Sequence, residues 1–329
     1  MAKQEKKESA GSGKYVVIQK LKEKLSAITP SENEKSSIYT NTSLLLEGIH
    51  FSLVYFPLTH LGYKAVVSAI SGIYNKGGVP GSVSVNLGIS TRHKIEDIET
   101  LFEGVDFACK KFNLKLTDIY VESSLTGLTL AVTSTGGPSA YIDKVSEIGD
   151  NDLICVTGDL GAAYMGLNIL ERERKVFEET GGAQPLLKGY EYAIGRQLKP
   201  DIPVKALAQL REKGIKTTTL KVTRDGLSSD MISLCREYSK GCRLYIDKIP
   251  VSIETEKIAE ELGIEPVISA LNGGDDFDFL FTVPITESEK VLSIEGISVI
   301  GHLTGMGDGC NLVLQDGSLS ELRAPGWEE

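Results

Sequence analysis

Zinc-binding spacings, a basic surface and a membrane-length apolar run are all missing from this 329-residue sequence. Five cysteines stand at 109, 155, 235, 242 and 310, none of them in a C-x-x-C pair, and the four histidines follow no zinc pattern. A structural zinc finger or ribbon is therefore not expected. The odd cysteine count and the lack of a signal-peptide pattern predict a reducing, cytoplasmic setting. No hydrophobic stretch approaches the length of a membrane span, so no membrane partner is expected. Lysine and arginine total 35 against 45 acids, a net charge of −10, which argues against nucleic acid as a partner. A local basic groove stays open.

What is present suits a large two-domain enzyme-sized chain. Glycine is abundant, with 34 residues, which fits many tight loops. Residues 1–13 read as a polar tail, Tyr15–Leu25 as a short helix, and 26–37 as a loop. Ile38–Leu46, Ser82–Ile89, Leu114–Val121 and Leu125–Thr133 read as strands. Leu58–Lys76 reads as a buried helix ended by the Gly-Gly-Val-Pro at 77–80, and Ile95–Phe112 as an amphipathic one. A second series follows. Strands are expected at Leu153–Thr157, Thr217–Thr223, Arg243–Ile246, Leu280–Val283, Ser298–Leu303 and Asn311–Leu314. Helices are expected at Ala162–Arg174, Gly189–Leu198, Val204–Glu212, Leu227–Tyr238 and Ile253–Leu262. The alternation predicts a mixed α/β (α+β) class with a boundary near residues 140–150.

Three places can carry chemistry. Asn272–Val283 sets two glycines before Asp275, Asp276 and Asp278, at a turn running into a strand. Those acids read either as polar ligands or as a turn held by backbone hydrogen bonds. Thr157-Gly158-Asp159-Leu160-Gly161 joins a strand to a helix N-terminus. That is a physically sensible anion site, although the same glycines suit a plain strand-to-helix turn. Asp225, before Gly226, is either a residual ligand or the cap of the helix starting at Leu227. His50 reads as a structural hydrogen-bonding residue or a site residue. Cys155 reads as a buried small hydrophobe, and Cys235 and Cys242 as residues flanking a helix end with no sign of a nucleophile pair.

Several strings occur together in an order that resembles the thiamine-monophosphate kinases. They are Ser43-Leu44-Leu45-Leu46-Glu47-Gly48-Ile49-His50-Phe51, Leu61-Gly62-Tyr63-Lys64-Ala65, Ser123-Ser124-Leu125-Thr126-Gly127-Leu128-Thr129, Thr157–Gly161, Arg196-Gln197-Leu198-Lys199-Pro200, Asp225-Gly226-Leu227 and Asn272–Asp276. The resemblance runs from about residue 38 to the end. It implies a two-domain fold like aminoimidazole ribonucleotide synthetase, selenophosphate synthetase and a hydrogenase-maturation protein, with an N-terminal mixed sheet with helices and a C-terminal α/β domain. The implied divisions are a tail and short helix over 1–25, an N-terminal domain over 26–145 and a C-terminal domain over 146–329. It also implies a homodimer through the N-terminal domain, with ATP and Mg²⁺ as cofactors of phosphoryl transfer to thiamine monophosphate. Gly158, Gly161 and Arg224 fall on the nucleotide or phosphate side, Asp275, Asp276 and His50 on the substrate side, and Asp225 as the one candidate catalytic or metal residue.

The departures from that pattern fall on the acids. Two anionic substrates need neutralising charge, which magnesium on hard oxygen ligands supplies. The family's front Gly-Asp-Asp corresponds to Thr29–Glu34, which has no such pair. An Asp has become Ser43, an Asn-x-Ser-Asp run has become Ala69-Ile70-Ser71-Gly72, and a Gly-Gly-Asp-Thr loop has become Asp118-Ile119-Tyr120-Val121. In the second half one Asp has become Val222, a Ser has become Arg224, and the Arg of Lys-Pro-x-x-Arg has become Pro203. The expectation is a protein of the kinase fold, without efficient kinase activity and with no dedicated cofactor, that binds at most a small phosphorylated ligand. The alternatives are an active kinase with divergent ligands, or an ATP-using relative with another acceptor. Asp106, Asp118 and Glu122 are the residues to inspect for a replacement acid cluster.

Overall fold

The computed structural model describes residues 14–25, 38–138, 148–182 and 184–324. The expected tail over 1–13, the loop over 26–37 and most of the expected boundary near 140–150 lie outside these residues. The described chain opens with α1 (Lys14–Lys24) and continues through β1 (Tyr39–Leu46), α2 (Leu58–Asn75), β2 (Gly78–Ile89), α3 (Ile95–Lys111), β3 (Lys115–Ser123) and β4 (Thr129–Pro138). The four strands form one sheet in the order β1-β4-β2-β3. Only β2 and β3 run parallel, joined across α3; the other pairs are antiparallel.

Helix α2 is the element around which both halves pack. Every residue from Leu61 to Tyr74 is buried, and Lys64 is the one charged residue among them. A helix that is apolar on all sides has to lie inside. It meets α3 at close range because glycines face the crossing. A β-carbon on Gly62 would lie 2.0 Å from the Leu101 carbonyl oxygen, and one on Gly104 would lie 1.8 Å from the Thr59 carbonyl oxygen.

Two boundaries differ from the sequence expectation for identifiable reasons. The Gly-Gly-Val-Pro at 77–80 follows the end of α2 as expected, but β2 begins at Gly78 rather than Ser82. Pro80 sits at a register shift against β4, between Pro80 and Ser82, where a residue lacking an N–H is tolerated. Strand β4 begins at Thr129 rather than Leu125, and Leu125 itself is fully exposed in the connection.

The second half contains β5 (Leu153–Thr157), α4 (Ala162–Thr180), α5 (Glu191–Leu198), α6 (Val204–Glu212), β6 (Thr219–Val222), α7 (Leu227–Glu237) and β7 (Lys240–Tyr245). It continues with α8 (Ile253–Leu262), α9 (Pro266–Asn272), β8 (Phe279–Val283), α10 (Ser288–Leu292), β9 (Ile297–Gly305), β10 (Cys310–Val313) and β11 (Leu319–Glu321). Its seven strands are ordered β11-β10-β7-β9-β5-β8-β6, with β7 and β10 as the parallel pair. The core is continuous between the halves: one cluster runs from Leu45 and Ile70 to Phe279 and Phe281. At the seam the Tyr74 ring meets Phe279 edge-on with centroids 5.7 Å apart. The Asn75 side chain accepts the Val222 amide of β6 at 2.7 Å. No described helix is long and apolar enough to cross a membrane.

Candidate functional site

The Gly-Gly-Asp-Asp-Phe-Asp segment leaves α9 and runs back along residues 223–224 before entering β8. Asp275 and Phe277 donate their amides to the Arg224 and Thr223 carbonyls, each at 2.8 Å. This path holds Asp275 and Phe277 at a φ of 58°, in the left-handed region that non-glycine residues rarely occupy. Full burial of the Phe277 ring and the surrounding hydrogen bonds hold the conformation in place.

Each of the three acids takes a different partner. The Asp276 carboxylate is buried and accepts the Gly161 amide at 3.0 and 2.9 Å. It thus occupies the N-terminus of α4, where the positive end of the helix favours an anion. The Gly158 amide is likewise engaged, by the Gly296 carbonyl at 2.8 Å. The amides expected from sequence to meet a phosphate are therefore satisfied by the protein's own acceptors, one of them a carboxylate. Asp278 accepts the Thr157 hydroxyl at 2.7 Å and pairs with the Arg196 guanidinium. Arg196 also donates to the Asp159 carbonyl at 3.1 Å, and Tyr192 donates its hydroxyl to the Asp159 carboxylate.

Burial sets the protonation of these carboxyls. Asp276 is pushed up to about 7 and Asp278 to about 6, desolvation outweighing the attraction of Arg196. Asp230, also buried, is pushed up to about 6 by desolvation, although it accepts the Arg224 and Asp225 amides. A carboxyl raised above its unfolded value of about 3.9 favours folding while it is protonated. That contribution is complete below the unfolded value and is lost as pH rises through about 6 to 7 for these groups.

Between the two sheets stand two cations. The Lys64 ammonium, only 3% exposed, donates to the Gln197 carbonyl at 2.8 Å and its side-chain oxygen at 3.2 Å, and pairs with Asp275 at 2.9 Å. Three acceptors match its three donors. Arg224 reaches from the second half to the Ser43 hydroxyl on β1 at 2.8 Å and the Ser68 carbonyl on α2 at 3.3 Å. The neighbouring Asp225 does not cap α7 as one sequence reading expected. The N-cap is Gly226, with no side-chain cap bond, and the local amides go to Asp230 instead. Asp225 accepts a hydrogen bond from the Tyr15 hydroxyl of α1, which with burial drives that phenol well above its usual value.

The likeness of this arrangement to known proteins is consistent across sequence and structure. The model of the AIR synthase related protein, N-terminal domain, matches residues 25–137. The thiamine-monophosphate kinase of Aquifex aeolicus is 25% identical over 283 residues, 83% of this chain and 87% of that protein. That of Leptospira interrogans is 28% identical over 275 residues, 83% of this chain and 82% of that one. The AaThiL structure complexed with AMPPCP and TMP superposes with a TM-score of 0.80 at 22% identity, covering 96% of this chain and 97% of its own. Over most of its length the chain is similar to the thiamine-monophosphate kinases, and its first part to the AIR synthase related N-terminal domain. Its two-domain mixed α/β fold is that of the family's solved structures.

Within this family fold, the residues singled out as stand-in acids do not converge. Asp106 is on α3 and pairs with Lys110 at 2.6 Å. Asp118 and Glu122 lie on β3, all of whose residues are exposed. Among the described residues no three carboxylates bring their oxygens within 4.8 Å of one another. His50 is exposed and accepts the Leu46 amide at 3.1 Å in a turn after β1. The sequence reading passed over Lys64, Tyr15 and Arg196 as functional groups. The signal available for Lys64 was a lone lysine inside an otherwise apolar helix. Cys155 is fully buried, as expected of a small hydrophobe. Cys235 and Cys242, however, do more than flank a helix end: with Cys310 they bring three sulfurs within 4.8 Å of one another.

Proposed function

We propose that this chain is a thiamine-monophosphate kinase-like protein without efficient kinase activity. The observation that carries this reading is the Arg224 contact with Ser43 and the Ser68 carbonyl. By the family resemblance, Ser43 stands where an Asp is expected, and Arg224 stands where a Ser is expected beside the acid now replaced by Val222. A guanidinium lying on that hydroxyl joins the halves directly. It can neutralise one anion but cannot bridge phosphates as magnesium does. Asp225, the surviving candidate ligand, is hydrogen-bonded by Tyr15, and Asp275 by Lys64. Asp276 fills the helix terminus that a phosphate would use. The reading leaves room for a small phosphorylated ligand but supplies no magnesium cluster for transfer.

Isothermal titration of the full chain with ATP, with and without magnesium, tests this. The expected result is no magnesium-dependent heat at micromolar nucleotide. Micromolar magnesium-dependent binding, or ADP release that depends on thiamine monophosphate, overturns it.

The same reading includes a homodimer through the N-terminal sheet. Strand β3 is a free edge with Leu116, Ile119, Tyr120 and Val121 exposed. Such an edge is normally covered or blunted. Light scattering on the full chain is expected to give twice the 35.6 kDa chain mass. A monomer at micromolar concentration removes this part of the proposal.

A further inference from the structure

Three of the five cysteines meet at the opposite end of the seven-stranded sheet from Asp278. Strands β7 and β10 run parallel with Cys242 directly opposite Cys310. Adjacent parallel strands at the same register present both side chains to the same face of the sheet. Cys235, in the last turn of α7, comes down on that face, because a short turn at Tyr238–Ser239 folds the helix back over β7. The three sulfurs all lie within 4.8 Å of one another. Cys235 and Cys242 are 2% and 0% exposed, while Cys310 is partly open.

Buried cysteines commonly pack as small hydrophobes, and Cys235 and Cys242 do belong to the local apolar cluster. Packing does not account for two further features. One is the convergence of three soft donors on one point from three separate elements. The other is where the third donor faces. Cys310 and Cys235 line a cavity of about 760 Å³ whose wall also includes Arg236, Met306 and the exposed Arg323. That cavity gives an ion an entry path and leaves a coordination position open. No carboxylate or imidazole belongs to the group, so the donor set is purely sulfur. Soft sulfur donors select thiophilic ions such as Zn²⁺ and Cu⁺ over Mg²⁺ or Ca²⁺. Around zinc, with sulfur at about 2.3 Å in tetrahedral geometry, the sulfurs stand roughly 3.8 Å apart, which small rotations of these side chains reach.

We infer that Cys235, Cys242 and Cys310 form a three-thiolate site for one thiophilic d¹⁰ metal ion, Zn²⁺ or Cu⁺, with its open coordination side facing the cavity. Binding breaks the S–H bonds and releases the protons to solvent; no electrons are exchanged. Arg236, which lies close enough to act on Cys310 electrostatically, offsets part of the negative charge. The site is separate from the contacts of Lys64, Arg224 and Asp278, so it stands or falls independently of the kinase reading.

The test uses the reduced, metal-free full chain. Titration with Co²⁺, as a spectroscopic stand-in for Zn²⁺, should give a sulfur-to-cobalt charge-transfer band that saturates at one equivalent. Zn²⁺ should then displace the cobalt. A parallel titration with Cu⁺ against a chromogenic Cu⁺ chelator shows which ion is held more tightly. Cys310→Ser and Cys242→Ser should each weaken binding by at least about tenfold, the lower end of the loss caused by removing even an outer-shell partner of a metal ligand. Cys109→Ser, in the other half, should leave it unchanged. Because Cys242 is fully buried, the partly open Cys310→Ser chain, checked by circular dichroism, carries the result if the other variant misfolds. Absence of a thiolate band and of Cu⁺ retention overturns the site. So does a band that persists in Cys310→Ser or falls equally in Cys109→Ser.

Discussion

Arg196→Ala should lower the stability of the folded chain by about 3–5 kcal/mol, the range for breaking a buried ion pair by removing one partner. The Arg196 side chain is 19% exposed and that of Asp278 4%, so water cannot replace the lost cation. The same guanidinium attracts the buried Asp276 carboxylate. Without it both carboxyls move further up from their already raised values, and the proton-linked loss with rising pH becomes steeper. The deficit relative to the unchanged chain is therefore expected to be largest near pH 8 and smaller near pH 5, where protonation neutralises the pair. Urea unfolding at the two pH values measures this. A loss under about 1 kcal/mol, equal at both, would show that the pair is a surface-type interaction.

Gly104→Ala is expected to destabilise by about 3 kcal/mol, even though alanine is the better helix former by about 1 kcal/mol. The sign is decided by what the methyl group meets. It would lie 1.8 Å from the Thr59 carbonyl oxygen and 2.9 Å from the Tyr63 amide nitrogen, both backbone atoms of α2. Neither can rotate away, so α3 must lift off the helix that supports both sheets. Gly195→Ala in α5 is the matched control. Nothing lies within 4 Å of its added carbon, so the helix preference alone should act and stabilise by up to about 1 kcal/mol. Thermal or urea midpoints of the two variants should move in opposite directions. A shift of the same sign in both would mean that the α2–α3 crossing adapts.

What was legible in the sequence follows from the range of the interactions involved. Val204–Glu212 and Ile253–Leu262 are found where periodicity places them, because their apolar spacing is local and uninterrupted. Helix α9 escaped notice because seven residues carry too little periodicity, and the segment's glycines dominate a local reading. The early start of β2 at Gly78 went unread because the register shift at Pro80 is created by the partner strand, which sequence does not display. The motif order pointed to the fold, and the resemblance to positions such as Ser43 and Val222 where an acid is expected. Neither gave a view of what those positions meet. Arg224 was expected on the phosphate side, and its two partners lie 156 and 181 residues away. The cysteine trio depends on the pairing of β7 with β10, whose Cys242 and Cys310 stand 68 positions apart, so spacing rules for metal sites had nothing to register.

The Arg224–Ser43 contact also decides what an acid placed at position 43 would meet. A carboxylate introduced at position 43 would meet a guanidinium already within hydrogen-bond reach. Such an acid would thus form an internal ion pair between the two halves, drawing them together rather than offering a free oxygen to a metal. Replacing Arg224 would do the opposite, because both of its bonds to the first half would be lost.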